Sequence, residues 1–330
     1  MGDPAGIGPW MAGQCALSPR IRRLCTPLVI GDAWVLKQWP GLKARIRPVI
    51  HAEEAANSPR VINVLHVPHP GIKALRRGRP SALSGEAAAL FLRVGVALAL
   101  QGRVKGLMTG PVSKESLWMA GLRVGGQTEF LAQLSGARSP EMLMMAGSLR
   151  IILATRHVPL SKVPSVLTSE GIEDCVARAA EAVRIHFSIR RPRIGICGLN
   201  PHAGDGGILG EEEQQIIRPA VQRLSRHYTV HGPIAADALL RDAAKGCYDL
   251  VAAMYHDQAL IALKMYDSDK VVNMTIGLPF PRVSPGHGTA FDLSFQPHRI
   301  RMGPSLASME LLLGLVKTFP KVYNLKMRKQ

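Results

Sequence analysis

Seven short apolar runs, separated by longer stretches of helical pattern, constrain this chain of 330 residues more than any other feature. They lie near 26–33 (TPLVIGDA) and at 61–67 (VINVLHV), 104–111 (VKGLMTGP), 149–159 (LRIILATRHVP), 192–202 (PRIGICGLNPH), 248–258 (YDLVAAMYHDQ) and 271–280 (VVNMTIGLPF). Each run has the length of a buried strand. The plainest helix between them is 83–101, with Ser84 as its expected N-cap and Glu86 in its first turn. Strands separated by helices of about ten residues or more are βαβ units, so the fold class is α/β with a largely parallel sheet.

Four runs end in a polar cluster, and in open α/β sheets ligands gather beyond the carboxyl ends of the strands. GLM leads to Thr109, Gly110, Pro111 and Lys114; IILAT to Arg156 and His157; IGICGL to Asn200 and His202; LVAAMY to His256, Asp257 and Gln258. The histidines at 157, 202 and 256 are 45 and 54 residues apart, so any shared site must be assembled by tertiary or quaternary structure. Three neutral imidazoles with one open position are a catalytic metal arrangement, while a lone strand-end histidine more often caps or hydrogen-bonds. Spacing alone does not choose between these. His51, His186 and His227 have no comparable setting and read as surface residues.

The glycine-rich stretch GDPAGIGP at 2–9 lacks the G-x-x-x-x-G-K-[ST] phosphate loop, and no G-x-G-x-x-G follows a strand. A nicotinamide cofactor would therefore be bound without a Rossmann fingerprint. The net charge of +17 is spread over clusters at 20–23, 75–80, 298–301 and 326–330. No aromatic residues interleave with them and aromatics are only 5% of the chain, which favours solvated faces and a small anionic substrate over nucleic acid. The five cysteines are scattered with no C-x-x-C pair, so they imply neither a disulfide framework nor a thiolate zinc site. No run of about 18 uncharged apolar residues implies a membrane span, and MGDPAGIGPW lacks the parts of a signal peptide, so a cytoplasmic protein is expected.

Taken in order, GDPAGIGP, TGPVSK with GGQTEFLA, ATRHVPL, GLNPHAGDGG, GPIAADALL, AMYHDQALIALK, VNMTIGLPFPRVSPGHGTAFDL and GPSLASMELL resemble the 4-hydroxythreonine-4-phosphate dehydrogenase family of vitamin B6 biosynthesis, with its paralogues acting on phosphorylated four-carbon sugar acids. The resemblance implies one two-lobed α/β unit over 1–330, similar to isocitrate and isopropylmalate dehydrogenases, with a central cleft and no Rossmann fold. The lobes are expected at about 1–125 with 275–330, and 126–274. His157, His202 and His256 match the family's metal ligands, shared across a homodimer interface, with zinc favoured and cobalt, manganese or magnesium able to serve. Gln127, Thr128, Lys264, Asn273 and Arg282 match its substrate contacts, and Lys114 adds a phosphate contact. Lys264, Asp257 and Asp237 are the candidates for catalytic and proton-relay roles, and Gly286, His287, Gly288, Thr289 and Asp292 for holding NAD or NADP.

The implied reaction is metal-dependent oxidation of the 3-hydroxyl of 4-phosphooxy-L-threonine, then decarboxylation to 3-amino-2-oxopropyl phosphate. The same chemistry on threonate or erythronate 4-phosphate is the alternative, and a member that binds metal or ligand without turnover is the reading from another class. Neither nucleic acid nor membrane is an expected partner. Four departures bear on this choice. The chain starts where the family has a hydrophobic first strand, Trp10 replaces an acid, Gln127 stands where the family usually has His, and FDLSFQPHRIRMGPSL replaces a Gly- and Ala-rich continuation.

Overall fold

Each of the seven apolar runs carries a strand in the computed structural model, which describes residues 1–319. The basic cluster at 326–330 lies outside the described residues. The chain divides into two units, one comprising Met1–Pro140 and the segment that begins at Leu278, the other Glu141–Gly277.

In the first unit, β1 (Leu28–Gly31), β2 (Arg45–Val49) and β3 (Val61–His66) form a parallel sheet in the order β1-β3-β2. β4 (Leu107–Met108) pairs in parallel with β11 (Arg282–Pro285). The helix Ala82–Leu100 is long and apolar enough to cross a membrane by length and composition, but 61% of that window is buried inside the unit. Ala87 and Phe91 join the core under β1 and β3, while Leu92, Val96 and Ala99 pack with Leu107 and Leu117. Its N-cap is Ser81 rather than the expected Ser84. Ser81 has extended backbone and accepts from the Ser84 amide at 3.1 Å, whereas Ser84 is already helical and buried. Gly85 has no side chain because a Cβ there would run into the Ser116 carbonyl of the neighbouring helix.

The segment before Gly8 is tied down at both edges. The Met1 ammonium donates to the Ile30 carbonyl of β1 at 2.9 Å, and the Asp3 amide donates to the Pro111 carbonyl after β4 at 2.9 Å. Burial in apolar surroundings pulls the Met1 amine down to about 5 and pushes the Asp3 carboxyl up. Beside Met1 an apolar cavity of about 620 Å³ is bordered by Ile30, Leu92, Leu107 and Leu312.

The second unit holds β5 (Glu141–Ala146), β6 (Leu149–Leu153), β7 (Arg193–Cys197), β8 (Thr229–Ile234), β9 (Leu250–Ala253) and β10 (Val271–Ile276), ordered β10-β5-β6-β9-β7-β8. β5 is antiparallel to both neighbours, and β6, β9, β7 and β8 run parallel. Every residue of β9 and β10 is buried, as expected of strands covered on both faces. Ile151, Leu153, Val251, Ala253, Leu260 and Leu263 form the core where helix His256–Asp267 covers the sheet. Pro48 in β2 and Pro233 in β8 each stand in a strand at the end of its sheet order, where a missing amide costs no ladder bond on the free side, and Pro285 is the last residue of β11.

Candidate functional site

The three candidate histidines of the second unit follow strand ends, and two buried polar residues hold two of those ends in place. β7 stops at Cys197, and the next amides, of Leu199 and Asn200, both donate to Glu213 Oε1 at 2.7 and 2.8 Å. Asn200 Nδ2 donates to Glu213 Oε2 at 3.0 Å and to Glu212 Oε2 at 2.7 Å. Glu213 is only 2% exposed and opens a π-helical turn, Glu213–Ile217, a distortion that recurs at functional sites. Above it the chain makes five consecutive left-handed residues, His202 to Gly206, with φ of 54°, 53°, 80°, 44° and 70°. His202, Ala203 and Asp205 pay a steric penalty for this conformation that a glycine would not, and the turn is held before its start by Glu213 and at its end by Gln214, whose Nε2 donates to the Gly206 carbonyl.

Gln258 joins this loop to the next strand. Its Oε1 accepts from the Met254 amide after β9 at 2.7 Å, and its Nε2 donates to the Gly198 carbonyl after β7 at 2.9 Å. His256 begins the helix between these bonds, and its Nδ1 lies 2.6 Å from Asp257 Oδ1. A carboxylate at one ring nitrogen is the usual arrangement behind a metal-binding histidine. The His157 ring stands 5.6 Å from the His256 ring, centroid to centroid. His157 and His202 are exposed and His256 is half-buried. Among the described residues, no group of three or more His, Cys, Asp or Glu side chains is gathered to hold a metal ion. The chain brings together His157 and His256, and the donor set of imidazoles backed by Asp257 fits a divalent cation.

Asn273, on β10, is 7% exposed, and its Oδ1 has no hydrogen-bond partner, which leaves a buried acceptor for a ligand. Lys264, two turns along the helix from His256, is exposed, as is Asp237 in the first turn of helix Ala236–Ala244.

In the first unit Arg282 is 1% exposed. Its Nε and Nη2 donate to Thr109 Oγ1 at 3.1 and 2.7 Å, and Nη2 donates to Gln127 Oε1 at 2.8 Å. Gln127 in turn donates from Nε2 to the Gly110 carbonyl at 3.2 Å, and Thr128 beside it is buried. Burial pulls the Arg282 guanidinium down to about 9, opposed by the negative charge of Glu129. Lys114 is exposed and lies over the Trp118 ring at 5.0 Å. In the 286–292 segment the Thr289 carbonyl accepts from the Ile7 amide at 3.0 Å, and His287 Nδ1 lies 3.0 Å from the Gly288 carbonyl. Gly288 is exposed with open space where a Cβ would stand, so a phosphate can approach its backbone, and Gly286 and Asp292 flank it.

The profile of the family described as pyridoxal phosphate biosynthetic protein PdxA matches residues 23–301. The chain belongs to this family. Among its relatives, the 4-hydroxythreonine-4-phosphate dehydrogenase of Caulobacter vibrioides is 41% identical, with 97% of this chain and 95% of that protein covered. A Symbiobacterium thermophilum protein provisionally named D-threonate 4-phosphate dehydrogenase is 38% identical over 89% of each chain. The crystal structure of 4-hydroxythreonine-4-phosphate dehydrogenase from Klebsiella pneumoniae superposes with a TM-score of 0.83 at 36% identity, covering 96% of both chains. The α/β fold is the fold of the PdxA family.

In this PdxA-family chain, Glu213 and the bridging role of Gln258 were not evident beforehand. Glu213 falls in the polar stretch EEEQQ, where nothing distinguishes the one buried carboxylate from its exposed neighbours. His186 is a correction to the surface expectation: it is half-buried, and burial pulls it down to about 4, whereas His51 and His227 are exposed. All five cysteines are free thiols.

Proposed function

We propose that this PdxA-family chain is a metal-dependent, NAD- or NADP-linked dehydrogenase that oxidises the 3-hydroxyl of 4-phosphooxy-L-threonine, with decarboxylation to 3-amino-2-oxopropyl phosphate, in pyridoxal phosphate biosynthesis. The observation that carries this reading, beside the family, is Arg282: a guanidinium only 1% exposed, whose Nη2 is oriented by Thr109 Oγ1 and Gln127 Oε1. Desolvating a cation is costly, and a phosphate or carboxylate offsets the cost by engaging the guanidinium in a charge-assisted, bidentate pair.

Each remaining residue then has a task set by its chemistry. Gln127 and Thr128 orient the anionic group beside Arg282, and Lys114 adds a point charge. The unpartnered Asn273 Oδ1 accepts from a substrate amine or hydroxyl. Lys264 supplies positive charge to the enolate left when CO₂ departs, and Asp237 is assigned the proton relay. Asp257 holds the His256 ring through Nδ1. His157, His202 and His256 would hold a divalent cation, zinc before cobalt, manganese or magnesium, which when bound acidifies the substrate hydroxyl and polarises the ketone. The nucleotide, held by Gly286, His287, Gly288, Thr289 and Asp292, supplies the hydride acceptor.

The metal site is proposed to be completed in a homodimer. Helix His256–Asp267 presents Ile261, Met265 and Tyr266 at 65%, 83% and 42% exposure, and Ile208 beside the His202 loop is 82% exposed. An apolar stripe around exposed histidines is what a second copy would cover.

A second reading, D-threonate 4-phosphate as substrate, is favoured by Gln127, a neutral amide that keeps hydrogen bonding but cannot carry charge, and by the name of the Symbiobacterium relative. Following nicotinamide reduction by the zinc-supplemented protein with the two substrates side by side separates the readings. Higher kcat/KM with 4-phosphooxy-L-threonine is expected. Preference for D-threonate 4-phosphate selects the second reading, and no turnover with either contradicts both.

A further inference from the structure

Arg76, Arg77 and Arg79 stand within four residues of one another, and among the described residues none of them is in an ion pair. They border a cavity of about 470 Å³ whose other walls include Trp34, Leu75 and Phe295. The sequence shows no aromatic residue within this basic cluster, but the fold supplies them. The Arg77 guanidinium carbon lies 4.8 Å from the Trp39 ring centroid and 5.1 Å from that of Phe295, which orients the cluster from both faces. Arg77 Nη1 is buried with no hydrogen-bond partner in the chain, and burial lowers the guanidinium's pKa.

The cavity adjoins the 286–292 segment. The Ile7 amide donates to the Thr289 carbonyl at 3.0 Å, and the Gly78 amide donates to the Ala5 carbonyl at 2.9 Å, so one short stretch ties both segments together. Gly78, at φ +86°, leaves room for Phe295, whose ring a Cβ there would approach to 2.7 Å. Phe295 is 63% exposed, with a free face. An aromatic face takes a purine by stacking, unneutralised guanidinium groups take a phosphate as a fork, and the volume suits a ligand of nucleoside size.

We propose that this cavity receives the adenosine end of the nicotinamide cofactor, and that Arg76, Arg77 and Arg79 bind its 2′-phosphate, so that the chain uses NADP in preference to NAD. The inference rests on the dehydrogenase reading above and deepens it. NAD carries a neutral hydroxyl where NADP carries the phosphate, so the arginines discriminate at that one position.

The test is calorimetric titration of the full, zinc-supplemented chain with adenosine 2′,5′-bisphosphate and with AMP, alongside kcat/KM for NADP and NAD. The bisphosphate is expected to bind about tenfold tighter or better, the scale of one or two charge-assisted hydrogen bonds. Arg76→Ala with Arg79→Ala, both exposed positions, should bring the two ligands level, and Phe295→Ala should weaken both alike. If the bisphosphate binds no tighter than AMP while NAD is reduced with substrate, the inference falls and the dehydrogenase reading stands. If neither nucleotide is reduced yet the bisphosphate keeps an arginine-dependent preference, the cavity assignment stands and the dehydrogenase reading falls. A preference that survives loss of both arginines also overturns the inference.

Discussion

Arg282 has almost no exposed surface, and Thr109 and Gln127, two side chains that hold it, come from the same unit. His157 and His202, in the other unit, are exposed, and the rings of His157 and His256 are in contact. The proposed anion site is thus preorganised within one chain, whereas the proposed metal ligands follow strand ends and a strained loop at a surface. A buried cation needs fixed partners or folding suffers, so its pocket is closed before substrate arrives. Imidazoles have no such need, and in the proposed homodimer a cation and a second copy would draw them together.

The comparison breaks most visibly at Arg282. Replacing it with Ala should lower kcat/KM by about a hundredfold to several-thousandfold, the cost of leaving a buried anion without its partner, with circular dichroism checking that the fold survives. Full activity in that variant would remove the anion site from the account. On the other side, Asp257→Asn and Glu213→Gln should each weaken zinc binding by about ten- to a hundredfold in a competition titration, because they loosen the ring or the loop behind a ligand rather than a ligand itself. Unchanged affinity in both would mean that neither positions a histidine.

Charging the apolar stripe with Ile261→Asp and Met265→Asp should convert the proposed dimer to monomer in light scattering and abolish turnover, while leaving the Arg282 pocket able to bind inorganic phosphate. Gln127→His should shift selectivity between the two proposed substrates by only about tenfold, since Arg282 keeps Thr109.

Much of this was legible in the residues. A buried strand in a covered sheet announces itself as an apolar run, so β1, β3, β4, β6, β7, β9 and β10 could be read. β2 and β8 could not, because edge strands tolerate Pro48 and Pro233, and β5, EMLMMA, is rich in methionine and alanine, which suit a helix as well as a strand. The histidines were visible because polar side chains after apolar runs mark strand ends. The burial of Glu213, the bridge made by Gln258 and the stacking of Trp39 and Phe295 on Arg77 join residues 13 to 218 positions apart, and no local pattern encodes such pairings.

The most direct test of the contrast is complementation between two inactive variants. His202→Ala and His256→Ala, coexpressed with different tags and purified as the mixed species, leave one intact metal site per heterodimer if His202 and His256 meet across an interface. The account predicts about half the wild-type turnover in that heterodimer and none in either homodimer. No recovery in a heterodimer confirmed to be folded and zinc-supplemented would show that the histidines act within a single chain, and would contradict a metal site completed by a second copy.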